Sequence, residues 1–196
     1  MSQFNKWIDA KVTLPETMNR TDDILSSISH AVGFLLAVVA TVNLLFAAQE
    51  SSRALAASLI YGLSMCTVFG ASAVYHGLPI STGKRFMRLI DHSSIYILIA
   101  GTYTPYALAM NSGAGLVLLA ANWTLCIIGL LLNFFLWDRF KALHIAVYLL
   151  MGWMVVFFWR SLVLSAPPGQ IRWMMIGGGL YTLGIVFYAV KRIPWN

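Results

Sequence analysis

The sequence predicts an all-α integral membrane protein, a bundle of six spanning helices, on three observations. The first is composition: of 196 residues, 59% are hydrophobic and only 10% charged, with a mean hydropathy of +0.76. Ordinary soluble domains lie far from these values. The second is run length, since six apolar stretches each approach the roughly 20 residues needed to cross a hydrocarbon core of about 30 Å. The third is charge placement, with Lys and Arg gathered in small groups between the stretches.

The stretches are Ile24 to Ala48, Ala54 to Tyr75, Leu89 to Met110, Ala114 to Leu136, Leu143 to Ser165 and Ile171 to Val190. Turn chemistry separates them, as in Gln49-Glu50-Ser51-Ser52, Pro79-Ile80-Ser81-Thr82-Gly83, Asn111-Ser112-Gly113 and Pro167-Pro168-Gly169. Runs this long and continuously apolar are helices; barrel strands would alternate over about ten residues. Residues 1–21 form a polar segment without a signal-peptide apolar region, and residues 22–196 form one transmembrane domain.

A cytoplasmic N-terminus puts Lys6, Lys11, Arg20, Lys84, Arg85, Arg88, Arg139, Lys141, Lys191 and Arg192 on one side, and only Arg53, Arg160 and Arg172 on the other. That asymmetry places both ends of the chain in the cytoplasm. The net charge of +6 therefore reads as a topology signal, and nucleic acid is excluded as a partner because no basic stripe carries interleaved aromatics. Cys66 and Cys126 fall inside spans, where a thiol serves as a small apolar residue.

Ionisable side chains in or beside hydrocarbon demand a partner or a function. Ser72 and His76, at i and i+4, share one helix face, and Asp91 lies across a 14-residue connection at the start of the third span, with Ser94 at i+3. Imidazole, carboxylate and hydroxyl together suit a cation or a proton-handling site. The bland alternatives are a capping role for Asp91 and a snorkelling or carbonyl-bonded His76. His30 reads as a buried histidine bonded to a neighbouring helix, and His144 as an interfacial one. Asp22 and Asp23 suit an acidic first turn within reach of the knot. Thr102-Tyr103-Thr104-Pro105 reads as a kink with threonines meeting freed carbonyls, and Gly177-Gly178-Gly179 with Gly184 as a smooth packing face. Trp123, Trp137, Trp153, Trp159, Trp173 and Trp195 include interface anchors.

The runs DDILSSISHAVG, SAVYH, LIDHSSIYILIAGTYTPY, YLLMGW and GGGLYTLGIVFYAVKRIPWN resemble the hemolysin III family, the bacterial branch of the progestin and adipoQ receptor family. The resemblance runs from about Asp22 to the chain end. It implies a seven-helix, adiponectin-receptor-like bundle in the bacterial inner membrane, with His76 as a zinc ligand, Asp91 holding the hydrolytic water, and Ser72 close by. Asp22, Asp23, His30 and His92 would support that corner. The other two histidine ligands of the family would fall in a seventh helix beyond Asn196, so the chain as read is expected to lack that helix and to carry part of a zinc site. By this resemblance the leading function is membrane homeostasis, with membrane lipids as partners. A zinc-dependent lipid amidohydrolase, with Asp91 as general base, is one alternative and a pore-forming cytolysin another.

Overall fold

A computed structural model describes residues 2–15, 19–137, 141–166 and 169–189, and all regular structure among them is helical. The helices are α1 (Gln3–Lys11), α2 (Arg20–Ala48), α3 (Ser52–Gly77), α4 (Thr82–Ala109), α5 (Gly113–Phe135), α6 (Lys141–Trp153), α7 (Trp159–Ser165) and α8 (Gln170–Ala189), with a 3-10 turn at Met154–Phe158 between α6 and α7. Helices thus occupy all six apolar stretches. Four of these elements are long and apolar enough to cross a membrane: 20–48, 52–77, 113–135 and 142–165. Arg139, Pro167-Pro168, Val190, Lys191-Arg192 and Trp195 lie outside the described residues.

Short polar residues stop and start the rods. Asn19 caps α2 by accepting from the Thr21 amide at 3.0 Å, and Ser81 caps α4 by accepting from Lys84 at 3.2 Å. Ser51 and Ser112 do the same for α3 and α5. Each cap satisfies an amide that the first helical turn leaves without a partner. The connection between α3 and α4 is only residues 78–81, so the two rods form a tight antiparallel pair.

Hydropathy alone does not mark α4 as a span because α4 is the centre of the bundle. It packs against α1, α3, α5 and α6, and its buried face includes Ser94, Tyr96, Tyr103 and Thr104. Those polar groups find partners: Ser94 bonds the Asp91 carbonyl at 2.6 Å, and Trp123 Nε1 donates to Thr104 Oγ1 at 3.1 Å. The outer helices instead present Leu35, Leu36, Leu116, Phe157 and Leu164 outward, as a lipid-facing surface requires.

Several local expectations are corrected. Asp91 sits nine positions beyond Thr82, well inside α4, so it caps nothing. Thr102 and Thr104 bond the Leu98 and Ala100 carbonyls, so neither meets the Gly101 carbonyl that Pro105 leaves free. Close packing on glycine falls elsewhere than expected: a Cβ on Gly129 would strike the Tyr96 ring, whereas Cβ atoms on Gly177, Gly178 and Gly179 would meet nothing. The glycine run of α8 is therefore no packing face among the described residues.

The break after α6 is held by Tyr103, whose hydroxyl donates to the Gly152 carbonyl and accepts from the Val155 amide at 3.4 Å. Tyr103 is buried, so Tyr103→Phe strands polar backbone at the joint. The expected cost is about 1–2 kcal/mol, read as a lowered melting temperature of the detergent-solubilised protein; an unchanged transition would refute the tie.

Candidate functional site

The sequence stripe Lys84, Arg88, Asp91 and Ile95 recurs at intervals of three or four and so lies along one side of α4. Opposite it stands the end of α3 with Ser72 and His76. Between these elements, α2, α6 and α8 enclose a cavity of about 710 Å³. Its lining includes Ser72, His76, Arg88, Asp91 and Tyr148, together with His30, His92 and His144. The chain has four histidines, and all of them line this one cavity.

One carboxylate organises the α2, α3 and α4 corner. Asp23 Oδ1 lies 2.8 Å from His76 Nδ1, and Asp23 Oδ2 accepts from Lys84 Nζ at 2.9 Å. Lys84 is 1% exposed, also donates to the Leu78 carbonyl at 3.0 Å, and stands 5.0 Å from the centre of the Tyr75 ring. A buried ammonium survives only with such compensation. His76 therefore neither snorkels nor bonds a carbonyl: it is oriented by a carboxylate. Asp22, the other candidate at this corner, is exposed.

The remaining histidines differ in their surroundings. His30 stacks on His76 with ring centres 6.0 Å apart, and its Nδ1 is buried without a hydrogen-bond partner among the described residues. The expected interhelical bond at that nitrogen is absent because the ring meets aromatic faces, His76 on one hand and Phe69 on the other. His92 Nδ1 lies 3.4 Å from Asp91 Oδ2. His144, expected at the interface, instead faces α4: its Nδ1 is 2.6 Å from the Tyr96 hydroxyl. Tyr148 crosses the same gap, donating to the His92 carbonyl at 3.1 Å.

Zinc can be tested against these donors. The Asp23–His76 pair has the form of an outer carboxylate that fixes a ligating imidazole. Zinc needs three or four ligands, and among the described residues no three His, Cys, Asp or Glu side chains are placed to hold one metal ion. The described residues do not make a complete zinc centre.

Sequence reasoning took Lys84 and Arg88 for topology markers and missed Asn133, Tyr148 and Tyr181 as lining residues. The i, i+4, i+7 spacing of Lys84, Arg88 and Asp91 was the available signal for the first two. Trp137, grouped with the interface anchors, is 6% exposed and packs with Ile8, Val12 and Leu89.

Comparison with known proteins follows the same span of chain. The family described as Haemolysin-III related matches residues 18–195. The Hemolysin-3 homolog of Bacillus subtilis (strain 168) is 35% identical over 178 residues, covering 89% of this chain and 84% of that protein. Hemolysin-3 of Bacillus cereus is 32% identical over 178 residues, covering 89% and 81%. The monocyte to macrophage differentiation factor of Homo sapiens is 27% identical over 143 residues, 66% of this chain and 56% of that one. No solved structure matches.

Proposed function

This chain belongs to the hemolysin III family of multi-pass membrane proteins, and on that premise we propose that it serves membrane homeostasis by acting on lipid through the histidine-lined cavity. The carrying observation is the convergence of all four histidines with Ser72, Arg88 and Asp91 on one chamber, beside an apolar wall of Val68, Ile95, Ile145 and Ile185. A few directed polar groups against an apolar wall suit an amphiphile. The bacterial inner membrane, with both ends of the chain cytoplasmic, is the location that fits the charge pattern.

Gly184 supplies the sharpest test. It lines the cavity, and among the described residues a Cβ there would meet nothing within 4 Å, so Gly184→Trp is expected to place its ring in the chamber. In a bacterial strain lacking its own relative, the wild-type chain is expected to restore membrane order and acyl composition, and Gly184→Trp and His76→Ala to fail although present in the membrane at wild-type level. Full rescue by both variants would overturn the proposal. Dye release from protein-bearing vesicles that persists in Gly184→Trp would favour cytolysis instead.

A second reading, hydrolysis of a lipid amide or ester with zinc, is favoured by the carboxylate-oriented imidazole of His76. Stoichiometric zinc in the purified protein, lost in His76→Ala, is its expected signature.

A further inference from the structure

Two donor nitrogens on the cavity wall lack a hydrogen-bond partner among the described residues. Among the described residues, Arg88 Nε and Trp137 Nε1 are buried without a hydrogen-bond partner, and both residues line the cavity. Neither nitrogen can accept a hydrogen bond, and leaving such a group buried and unsatisfied costs about 1–3 kcal/mol. Trp137 is 6% exposed, so water at the outer surface does not relieve it. The guanidinium carbon of Arg88 lies 5.5 Å from the centre of the Trp137 ring, and His92 stacks obliquely on that ring at 5.3 Å. The two side chains are therefore neighbours, and the guanidinium brings a fixed positive charge to the pair.

We propose that Arg88 and Trp137 form a binding site for the phosphate of an anionic phospholipid. A phosphodiester carries one negative charge and two non-bridging oxygens, which can accept from the guanidinium and the indole together. Asp91 also lines the cavity, with His92 Nδ1 3.4 Å from its Oδ2. Three features favour a lipid over free phosphate. Ile95, Ile145 and Ile185 give the same cavity apolar lining. Phe4, Ile80 and Phe86, at the same end of the bundle, are exposed, as is usual at headgroup depth. Arg88 and Trp137 are also joined to that end, Arg88 through Nη1 to the Thr13 carbonyl and Trp137 by packing on Ile8. The headgroup then lies at the interface and one chain enters the bundle.

This site rests on the reading that the cavity admits membrane lipid, and its test is a binding measurement separate from the cellular phenotype. The full chain, purified in detergent and offered equimolar phosphatidylglycerol and phosphatidylcholine, is examined by native mass spectrometry. Wild type is expected to retain phosphatidylglycerol about tenfold over phosphatidylcholine. Arg88→Gln is expected to lose the preference, and Trp137→Phe, which removes one N–H and keeps the ring, to lower it several-fold. Because Arg88 also anchors the Thr13 segment, Trp137→Phe separates lost recognition from lost structure. Equal retention of both lipids by wild type, or a preference unchanged in both variants, overturns the proposal. Displacement of the lipid by millimolar inorganic phosphate assigns the site to the free ion and overturns the lipid assignment; retention of a fatty acid in place of either phospholipid overturns the phosphate. A negative result leaves the lipid-directed role standing, and failed rescue in cells leaves this site standing.

Discussion

Asp23→Asn is expected to destabilise the bundle by about 3 kcal/mol, because it leaves the buried Lys84 ammonium without its counter-charge. The asparagine side chain is nearly the same size, so the loss comes from charge and not from volume. Asparagine keeps one acceptor oxygen, whereas Asp23 uses Oδ1 for His76 and Oδ2 for Lys84. Lys84 keeps the Leu78 carbonyl and the Tyr75 face, which lessens the penalty without removing it. The measurement is thermal unfolding of the purified protein in detergent. The double variant Asp23→Asn with Lys84→Met removes the stranded charge and is expected to recover part of the loss, so the two substitutions should be strongly non-additive. Wild-type melting in Asp23→Asn alone would show that the pair holds nothing.

Trp137→Ala is expected to release α1 before the bundle melts. Ile8 and Val12 are buried against Trp137 and Leu89, while Trp7 lies on Phe134 with ring centres 4.7 Å apart. Removing a buried indole costs about 3–5 kcal/mol where the structure cannot relax. A nine-residue helix has too little intrinsic stability to stay folded once undocked. Arg85 and Arg88, which bond the Val12 and Thr13 carbonyls, would slow that release. Limited proteolysis should then cut within residues 2–15 of the variant at protease levels that spare wild type, and equal resistance of the two proteins would refute the docking.

The spans were legible because bilayer thickness imposes run length and because Ser51, Ser81 and Ser112 carry capping chemistry in their side chains. The cavity was legible only in part. Spacing put Ser72 and His76 on one face, but no local pattern says that the Tyr96 hydroxyl reaches His144, 48 residues away. That contact depends on how α4 and α6 pair. Charge misled most at Lys84: hydropathy treats every lysine as a wish for water, whereas this one is satisfied inside by a carboxylate, a carbonyl and an aromatic face. The opening segment did hold a signal. Phe4, Ile8 and Val12 recur at i+4, the mark of a helix with one apolar stripe, and Ser2 caps that helix by accepting from Asn5.

The 3-10 turn at Met154–Phe158 makes the element from Lys141 to Ser165 a jointed rod. Its first half, carrying His144 and Tyr148, is fastened to α4 through Tyr96 and Tyr103. Beyond the joint, α7 buries Leu162 in the core and leaves Val163 and Leu164 exposed. A bilayer that thickens or thins must be matched by tilt or bending of the helices that cross it. Here the turn is the one interruption in that rod, and it falls where Tyr103 ties Gly152 and Val155 to α4.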